Sequence, residues 1–505
     1  MTRACSITVL ALLCGASAAA AQAPAQAESP PWYQTDFPPD EFRARWAKIF
    51  DRIGASAVAI VQGAPMTTGF IYPRQTNEFY YLSGVETPGS YIVLDGRTRR
   101  ATLFLPPRNT RLEAAEGRVL SAEDVELAKR LTGADSVAPT TAMTPDFLAG
   151  PGGGRGGPGG GRGGRGGAAA ALQIYTPFSP AERSEESRGE LNSANRQVMT
   201  DPWDGRLPRE MHFIALLHAR YPRAQVMDLT PFLDELRGIK SEREIALIRR
   251  ASQLAGYGIV EAMKSSRPGV YEYELDAAAR YVFLVNGARL EGYRSIIAAG
   301  TQNIGNIHYF RNTSAMKDGD LVLMDYAPDY RYYTSDIGRM WPASGRFQPW
   351  QRELLQFILE YRNAVIARIR PGVTADSVMA EARVAMEAVF ARTRFSKPAY
   401  ERAARNLVNQ GGGVFSHTVG MAVHDVGSYR GGPLRPGQVF SVDPQLRVPE
   451  EGLYLRYEDV GVVTETGFEN FTDFLVSELD DIERTVRGGG GMVQAYPRRG
   501  EPTRR

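Results

Sequence analysis

Asp325 and Asp336 lie inside LVLMDYAPDYRYYTSDIGR (321–339), whose flanks alternate and are rich in β-branched and aromatic residues. Around Pro328, Asp329 and Tyr330 that pattern reads as a hairpin. With a midpoint between Tyr330 and Arg331 the two aspartates pair directly, their Cβ atoms about 5 Å apart on one face. Carboxylates that close repel unless positive charge stands between them, and one or two divalent cations would supply it. A second hairpin, FSVDPQLRVPEEGLYLRYEDVGVVT, repeats the device: with its midpoint between Glu450 and Glu451, Asp443 pairs with Glu458. The chain has five histidines, and three fall in or beside these segments: His308, then His417 and His424 in FSHTVGMAVHDVG. A lone acid pair across a hairpin is usually solvated and a lone histidine usually packed. Two such hairpins with opposed acids, plus one imidazole, make an oxygen-rich, one-nitrogen site for two divalent metals.

The elements that must position these residues recur. A long amphipathic helix, SEREIALIRRASQLAGYGIVEAMKSS, opens with Ser241 as N-cap and Glu244 three residues on. A second helix over 272–285 follows, then the first hairpin; helices over 350–369 and 375–392 precede the second. Helix, helix and carboxylate hairpin thus occur twice, which predicts two related halves facing each other within one domain, 238–487. Upstream, 39–237 reads as a smaller α/β domain. It opens with a helix built on Phe42, Trp46, Ile49, Phe50 and Ile53, and continues with strands in SAVAIVQG, SYIVLDG and ATLFLP that alternate with helices. Residues 150–167 are almost wholly Gly, Arg and Pro, too poor in apolar side chains to offset ordering, so they read as a disordered insert. The tail over 488–505 reads the same way. The fold class predicted is α+β.

With those motifs in place, the C-terminal half resembles the pita-bread metallopeptidases, the family of aminopeptidase P, prolidase and methionine aminopeptidase. YPRQTNEFYYLSGVETPGSYIVL resembles the N-terminal domain of aminopeptidase P and its near relatives. Together the resemblance spans roughly residues 39–486. It implies a pita-bread catalytic domain with pseudo-twofold halves, and an aminopeptidase that cuts the N-terminal residue from peptides, typically before proline. It also implies roles by position: Asp325 on one metal, His417 and Asp443 on the other, and Asp336 and Glu458 bridging both. A hydroxide shared by the metals would attack the scissile carbonyl. His308 and His424 match the substrate-facing histidines, and Arg456 matches an arginine that pairs with a ligand carboxylate.

Four positions depart from the family pattern. Asp443 stands where glutamate is usual, in SVDPQLR; Gln445 and Arg447 replace Gly and Tyr in the same string; and Gly413 replaces a histidine. The missing methylene shortens the reach by roughly 1.5 Å, whereas a ligand must sit within about 0.2 Å of its ideal distance. The strand must therefore approach the metals, or one ion binds weakly. Hydrolysis fits these changes more readily than strict proline specificity. The rival readings are a prolidase-like dipeptidase, another amide hydrolase such as a metal-free creatinase-like enzyme, and a peptide-binding module that has lost its ligands.

Composition bounds the partners. Across 505 residues, 59 basic and 57 acidic side chains leave a formal charge of +2, which excludes a general attraction to nucleic acid or membrane. The start, MTRACSITVLALLCGASAAAAQA, has the pattern of a signal peptide over 1–21 with cleavage near Ala21, followed by a Pro-rich spacer over 22–38. Its apolar run is too short to span a bilayer. The expectation is export, to the periplasm or beyond. Both cysteines, Cys5 and Cys14, lie in this leader, so the mature chain has no thiol for a nucleophile, disulfide or zinc-thiolate site. The predicted cofactors are two divalent ions, manganese first, with zinc and cobalt as alternatives. The predicted partners are peptide substrates, with no nucleic acid and no membrane after cleavage, and homo-oligomerisation left open.

Overall fold

The computed structural model describes residues 31–67, 69–145, 147–149, 172–410 and 415–495. The leader, the Gly/Arg insert, Gly413 and the last residues of the tail lie outside them. From Tyr33 onward the chain forms one compact unit. Among the described residues no helix is long and apolar enough to cross a membrane.

The N-terminal part is built on a six-stranded sheet: β1 (Ala57–Gln62), β2 (Tyr91–Asp95), β3 (Arg100–Leu105), β4 (Ser136–Pro139), β5 (Gln173–Thr176) and β6 (Gln225–Asp228), in the order β4-β3-β2-β1-β5-β6. β1 reads AVAIVQ because it is central and covered on both faces. Val58 and Ile60 pack with Val93, Phe104 and Ile174 on one side, while Ala57, Ala59 and Val61 join a second core with Phe42, Trp46 and Ile49 on the other. The helix Pro39–Ile53 follows its predicted segment, and Val125–Thr132 and Arg209–Arg220 supply helices between strands; the helix Arg188–Thr200 has no counterpart in the sequence reading. None of its residues is fully buried, and RGELNSANRQVMT offers few apolar side chains to set a period.

The C-terminal half opens on the helix Glu242–Ser265. Ser241 Oγ accepts from the Glu244 N–H at 3.4 Å, and the Glu244 carboxylate accepts from the Ser241 N–H at 3.0 Å, the reciprocal cap its sequence predicts. The helix Glu272–Val285 packs closely on it: a Cβ on Gly258 would meet the Phe283 ring at 2.8 Å. Next come β7 (Leu290–Glu291), β8 (Ile296–Ala299), β9 (Leu321–Asp325), β10 (Pro328–Asp329) and β11 (Gly338–Pro342). Of these, β11, β9 and β8 form an antiparallel sheet. Helices Pro349–Ile366 and Ala375–Arg392, joined by the unpredicted Pro398–Asn409, lead to β12 (Phe415–Thr418), β13 (Val439–Val442), β14 (Gln445–Val448), β15 (Leu453–Arg456), β16 (Asp459–Val463) and β17 (Phe468–Asn470). The helix, helix and hairpin order thus recurs, around one shared apolar core.

The first hairpin corrects one expectation. Asp325 lies opposite Gly338, not Asp336. Tyr330 and Tyr333 exchange backbone hydrogen bonds of 2.7 and 3.1 Å around Arg331 and Tyr332, both with positive φ, so the turn centres one residue later than predicted. The N-terminal domain holds it there. Tyr332 stacks on Tyr80 with ring centroids 3.5 Å apart, its hydroxyl accepts from the Gln75 N–H at 3.1 Å, and Arg74 Nε donates to Asp329 at 2.7 Å. The tail also differs from the disorder expected after Gly488. Met492–Gln494 forms a short 3-10 turn: the Gln494 amide donates to the Ser265 carbonyl at 2.8 Å and Val493 packs against the core, so polar and apolar contacts both anchor it on the long helix.

The two halves are also joined by a buried ionic cluster. Arg237 donates to Glu182 at 3.0 Å, Glu78 at 3.2 Å and Asp425 at 2.5 Å, and Lys240 lies 3.1 Å from the other Asp425 oxygen. Burial pushes the Asp425 carboxyl up, but Arg237 and Lys240 outweigh it and hold it below its ordinary range. A depressed carboxylate contributes stability that is full above its unfolded pKa and is lost as pH falls through the folded one. Asp425→Asn is therefore expected to cost about 3–5 kcal/mol at pH 7. The gap between wild type and variant should shrink below about pH 4. Urea unfolding at pH 7 and pH 3.5 checks this; equal pH slopes in the two proteins would contradict it.

Candidate metal centre

The second hairpin keeps the register its sequence predicts. Val442 pairs with Asp459 in one ladder and Gln445 with Arg456 in the next. Both ladders share one register, so Asp443 falls opposite Glu458 in the gap between them. The two hairpins meet at Gly338. A Cβ there would lie 3.1 Å from Arg456 Nε and 3.2 Å from the Glu458 Cβ, and the Glu458 N–H donates to the Gly338 carbonyl at 2.9 Å. Arg339 tightens the joint: it donates to the Glu458 carbonyl and, at 2.6 Å, to Asp459, whose other oxygen accepts from Arg362 at 2.6 Å.

Asp336 is displaced from its expected partner by two residues. Because strand side chains alternate, such a shift keeps it on the face of Asp325, now as a diagonal neighbour. His417 reaches the same place from a bulge in the β12–β13 ladder, where Phe415 pairs with Val442 but Thr418 with Phe440. Its Nδ1 lies 3.2 Å from the Thr418 carbonyl and its Nε2 lies 3.0 Å from the Asp336 carboxylate. A backbone acceptor at Nδ1 fixes the tautomer that leaves Nε2 free as a ligand.

Asp325, Asp336, Asp443, Glu458 and Arg456 are all buried. Arg456 donates to Asp325 Oδ2 and, at 2.5 Å, to Glu458 Oε2, while its Nε is 3.9 Å from Asp443 Oδ1. The Tyr293 hydroxyl donates to the other Asp325 oxygen at 2.6 Å, and the Gln445 amide donates to Asp443 Oδ2. Asp443 Oδ1 and Arg456 Nε have no hydrogen-bond partner among the described residues. Four acids thus face one guanidinium and one imidazole. Burial pushes Asp325 up to about 7 and raises Asp443 and Glu458 as well. Burial also acts to raise Asp336, but the His417 hydrogen bond and charge hold it well below the usual carboxylate range. Without cations, protons must fill the charge deficit; divalent cations satisfy the same deficit directly. Donor atoms of Asp336, His417 and Glu458 lie within 4.8 Å of one another. Asp325 and Asp443 flank that trio through Arg456, and the open Asp443 oxygen is a further donor. The residues present therefore fit divalent metal.

The predicted substrate-facing histidines border this cluster. The His424 ring centroid is 4.2 Å from that of His417 and 6.4 Å from that of His308. Tyr293, and Ser187 and Glu190 beside His424, are partners that the sequence did not disclose. No motif surrounds them. Gln445 was visible only as a departure, not as the partner of Asp443.

Residues 246–465 match metallopeptidase family M24, and residues 42–149 match the N-terminal domain of aminopeptidase P. The C-terminal part of the chain is thus an M24 metallopeptidase domain. It is 29% identical over 466 residues to the Xaa-Pro aminopeptidase of Escherichia coli (strain K12), covering 88% of this chain and 96% of that one. Over 476 residues it is 26% identical to the Xaa-Pro aminopeptidase of Haemophilus influenzae, covering 90% and 99%. It is also similar to the structure of aminopeptidase P from E. coli with the inhibitor Pro-Leu, with a TM-score of 0.69 and 25% identity, covering 92% of this chain and all of that one. The chain accordingly carries an aminopeptidase P-type N-terminal domain before a pita-bread metallopeptidase domain.

Within this M24 centre Asp443 is already in contact with the Gln445 amide, so a longer acid would overreach. Asp443→Glu is expected to weaken metal binding despite restoring the residue usual in the family, and Asp443→Glu with Gln445→Gly should recover it. Calorimetric titration decides: tighter binding in the single variant would contradict an adapted site.

Proposed function

We propose that this chain is an Xaa-Pro aminopeptidase, releasing the residue in front of proline from peptide N-termini with two divalent ions. The observation that carries the reading is the convergence of Asp336, His417 and Glu458, with Asp325 and Asp443 alongside, in a chain similar over most of its length to such enzymes. Asp325 would hold one ion, His417 and Asp443 the other, and Asp336 and Glu458 both. When bound, the ions polarise the scissile carbonyl and lower the pKa of the attacking water. The protein's own groups do the rest. Arg456 orients Asp325 and Glu458, and Arg339 fixes the Glu458 backbone. His424 and His308 lie on one side of the cluster, where they steady the substrate carbonyl and the residue after the cleaved bond. The first ion to test is manganese, with zinc and cobalt next, because an acid-rich site selects by geometry rather than affinity.

Export supports no step of this chemistry, but the Arg3-led apolar start fits it, and we place the mature enzyme in the periplasm or outside the cell. The remodelled string that carries Gln445 and Arg447 keeps a prolidase-like dipeptidase as the second reading. Protein lacking residues 1–21, reloaded with Mn, Zn or Co, should cleave Xaa-Pro peptides of three or more residues faster than Xaa-Pro dipeptides. Chelation, or Asp336→Ala, should reduce turnover to background while the fold survives. Faster turnover of dipeptides would favour the second reading, and undiminished turnover after chelation would overturn the metal mechanism.

A further inference from the structure

The helix Arg188–Thr200 belongs to neither matched stretch, which cover 42–149 and 246–465, yet its first turn meets the predicted substrate-facing His424. His424 Nδ1 lies 3.1 Å from the Glu190 carboxylate, and the His424 backbone N–H donates to Ser187 Oγ at 3.3 Å. None of the helix's residues is fully buried, so apolar packing does little to place it. Its start is placed electrostatically. Arg188 donates to Glu78 at 2.7 Å, Glu182 at 3.4 Å and Asp234 at 2.5 Å, and so joins the buried cluster whose Arg237 grips Asp425, the residue after His424. Ser187 is itself buried. One ionic cluster therefore fixes both partners of the Glu190–His424 contact, from the helix on one side and from Asp425 on the other.

We propose that Glu190 is a positioning residue: its carboxylate accepts from His424 Nδ1–H and holds that imidazole in one tautomer and one orientation toward the substrate. An imidazole whose Nδ1–H is committed to a carboxylate presents Nε2 as an acceptor, or as a second donor when protonated. Released, the ring exchanges tautomers and turns about its bond to Cβ. The cost falls on the transition state, because the ring must return to one arrangement at the moment of attack. Carboxylates that orient metal-ligating imidazoles are worth about 10–100-fold, and the same order is expected for this imidazole at the edge of the acid cluster. Glu190 keeps 62% of its side chain exposed, so its removal should leave stability unchanged.

The kinetic consequence rests on the peptidase reading; the orientation of the ring does not. Two variants of the metal-loaded chain, E190A and E190Q, provide the test. With an Xaa-Pro tripeptide, E190A should lose about 10–100-fold in kcat/KM, chiefly in kcat. E190Q, whose carbonyl oxygen can still accept, should recover most of it, with melting temperature and metal content equal in all three proteins. Independently of activity, long-range 1H–15N correlation of the histidine rings in the zinc-loaded protein should show His424 as the Nδ1–H tautomer in wild type and E190Q, and shifted toward Nε2–H in E190A. A wild-type tautomer in E190A overturns the proposal, as does unchanged kcat/KM beside an active wild type. A wild type that cleaves no peptide, yet shows the shift in E190A, supports the positioning role and overturns only the peptidase reading.

Discussion

Arg456 stands among Asp325, Asp443 and Glu458 almost without solvent, and the fold around it makes that crowding tolerable. A guanidinium is a rigid planar donor that can serve several carboxylates at once, which a lysine ammonium does less well. Removing it would leave three buried acids without their shared countercharge, a loss of the order of 3–5 kcal/mol. One arginine still cannot balance four acids. Divalent metal is the charge that the remainder of the site is built to receive.

That constraint explains the glycine opposite Asp325. Two hairpins from different halves must approach until Arg456 and Glu458 of one touch the strand of the other, and any side chain at residue 338 would stand between them. Arg339, next along the same strand, then reaches across to the Glu458 carbonyl and to Asp459, so the backbone that carries the Glu458 carboxylate is clamped from the opposing hairpin. Rigidity at the acid cluster thus comes from strand register and buried ion pairs rather than from loops.

Much of this was legible in the sequence, for identifiable reasons. The buried run of β1, the Ser241 cap and the helix Glu272–Val285 follow from local periodicity and capping chemistry. The second hairpin was legible to the residue because Pro449 and Gly452 punctuate a local turn, with Gly452 at φ 63°. The first hairpin was misregistered because its turn is set by Tyr80, Gln75 and Arg74, far away in sequence. Tyr293 and Glu190 were illegible for the same reason: each acts through one tertiary contact and belongs to no pattern. Spacing alone left the roles of these acids open, and it was the resemblance to a family that proposed one for each.

The central claim is that this acid cluster, organised by Arg456, takes up two divalent ions that share Asp336 and Glu458. Calorimetric titration of metal-free protein with manganese tests it most directly, in wild type and in Glu458→Ala. The account predicts two ions per chain in wild type and fewer than one tightly bound ion in the variant. One ion or none in wild type, or two retained in Glu458→Ala, would contradict it.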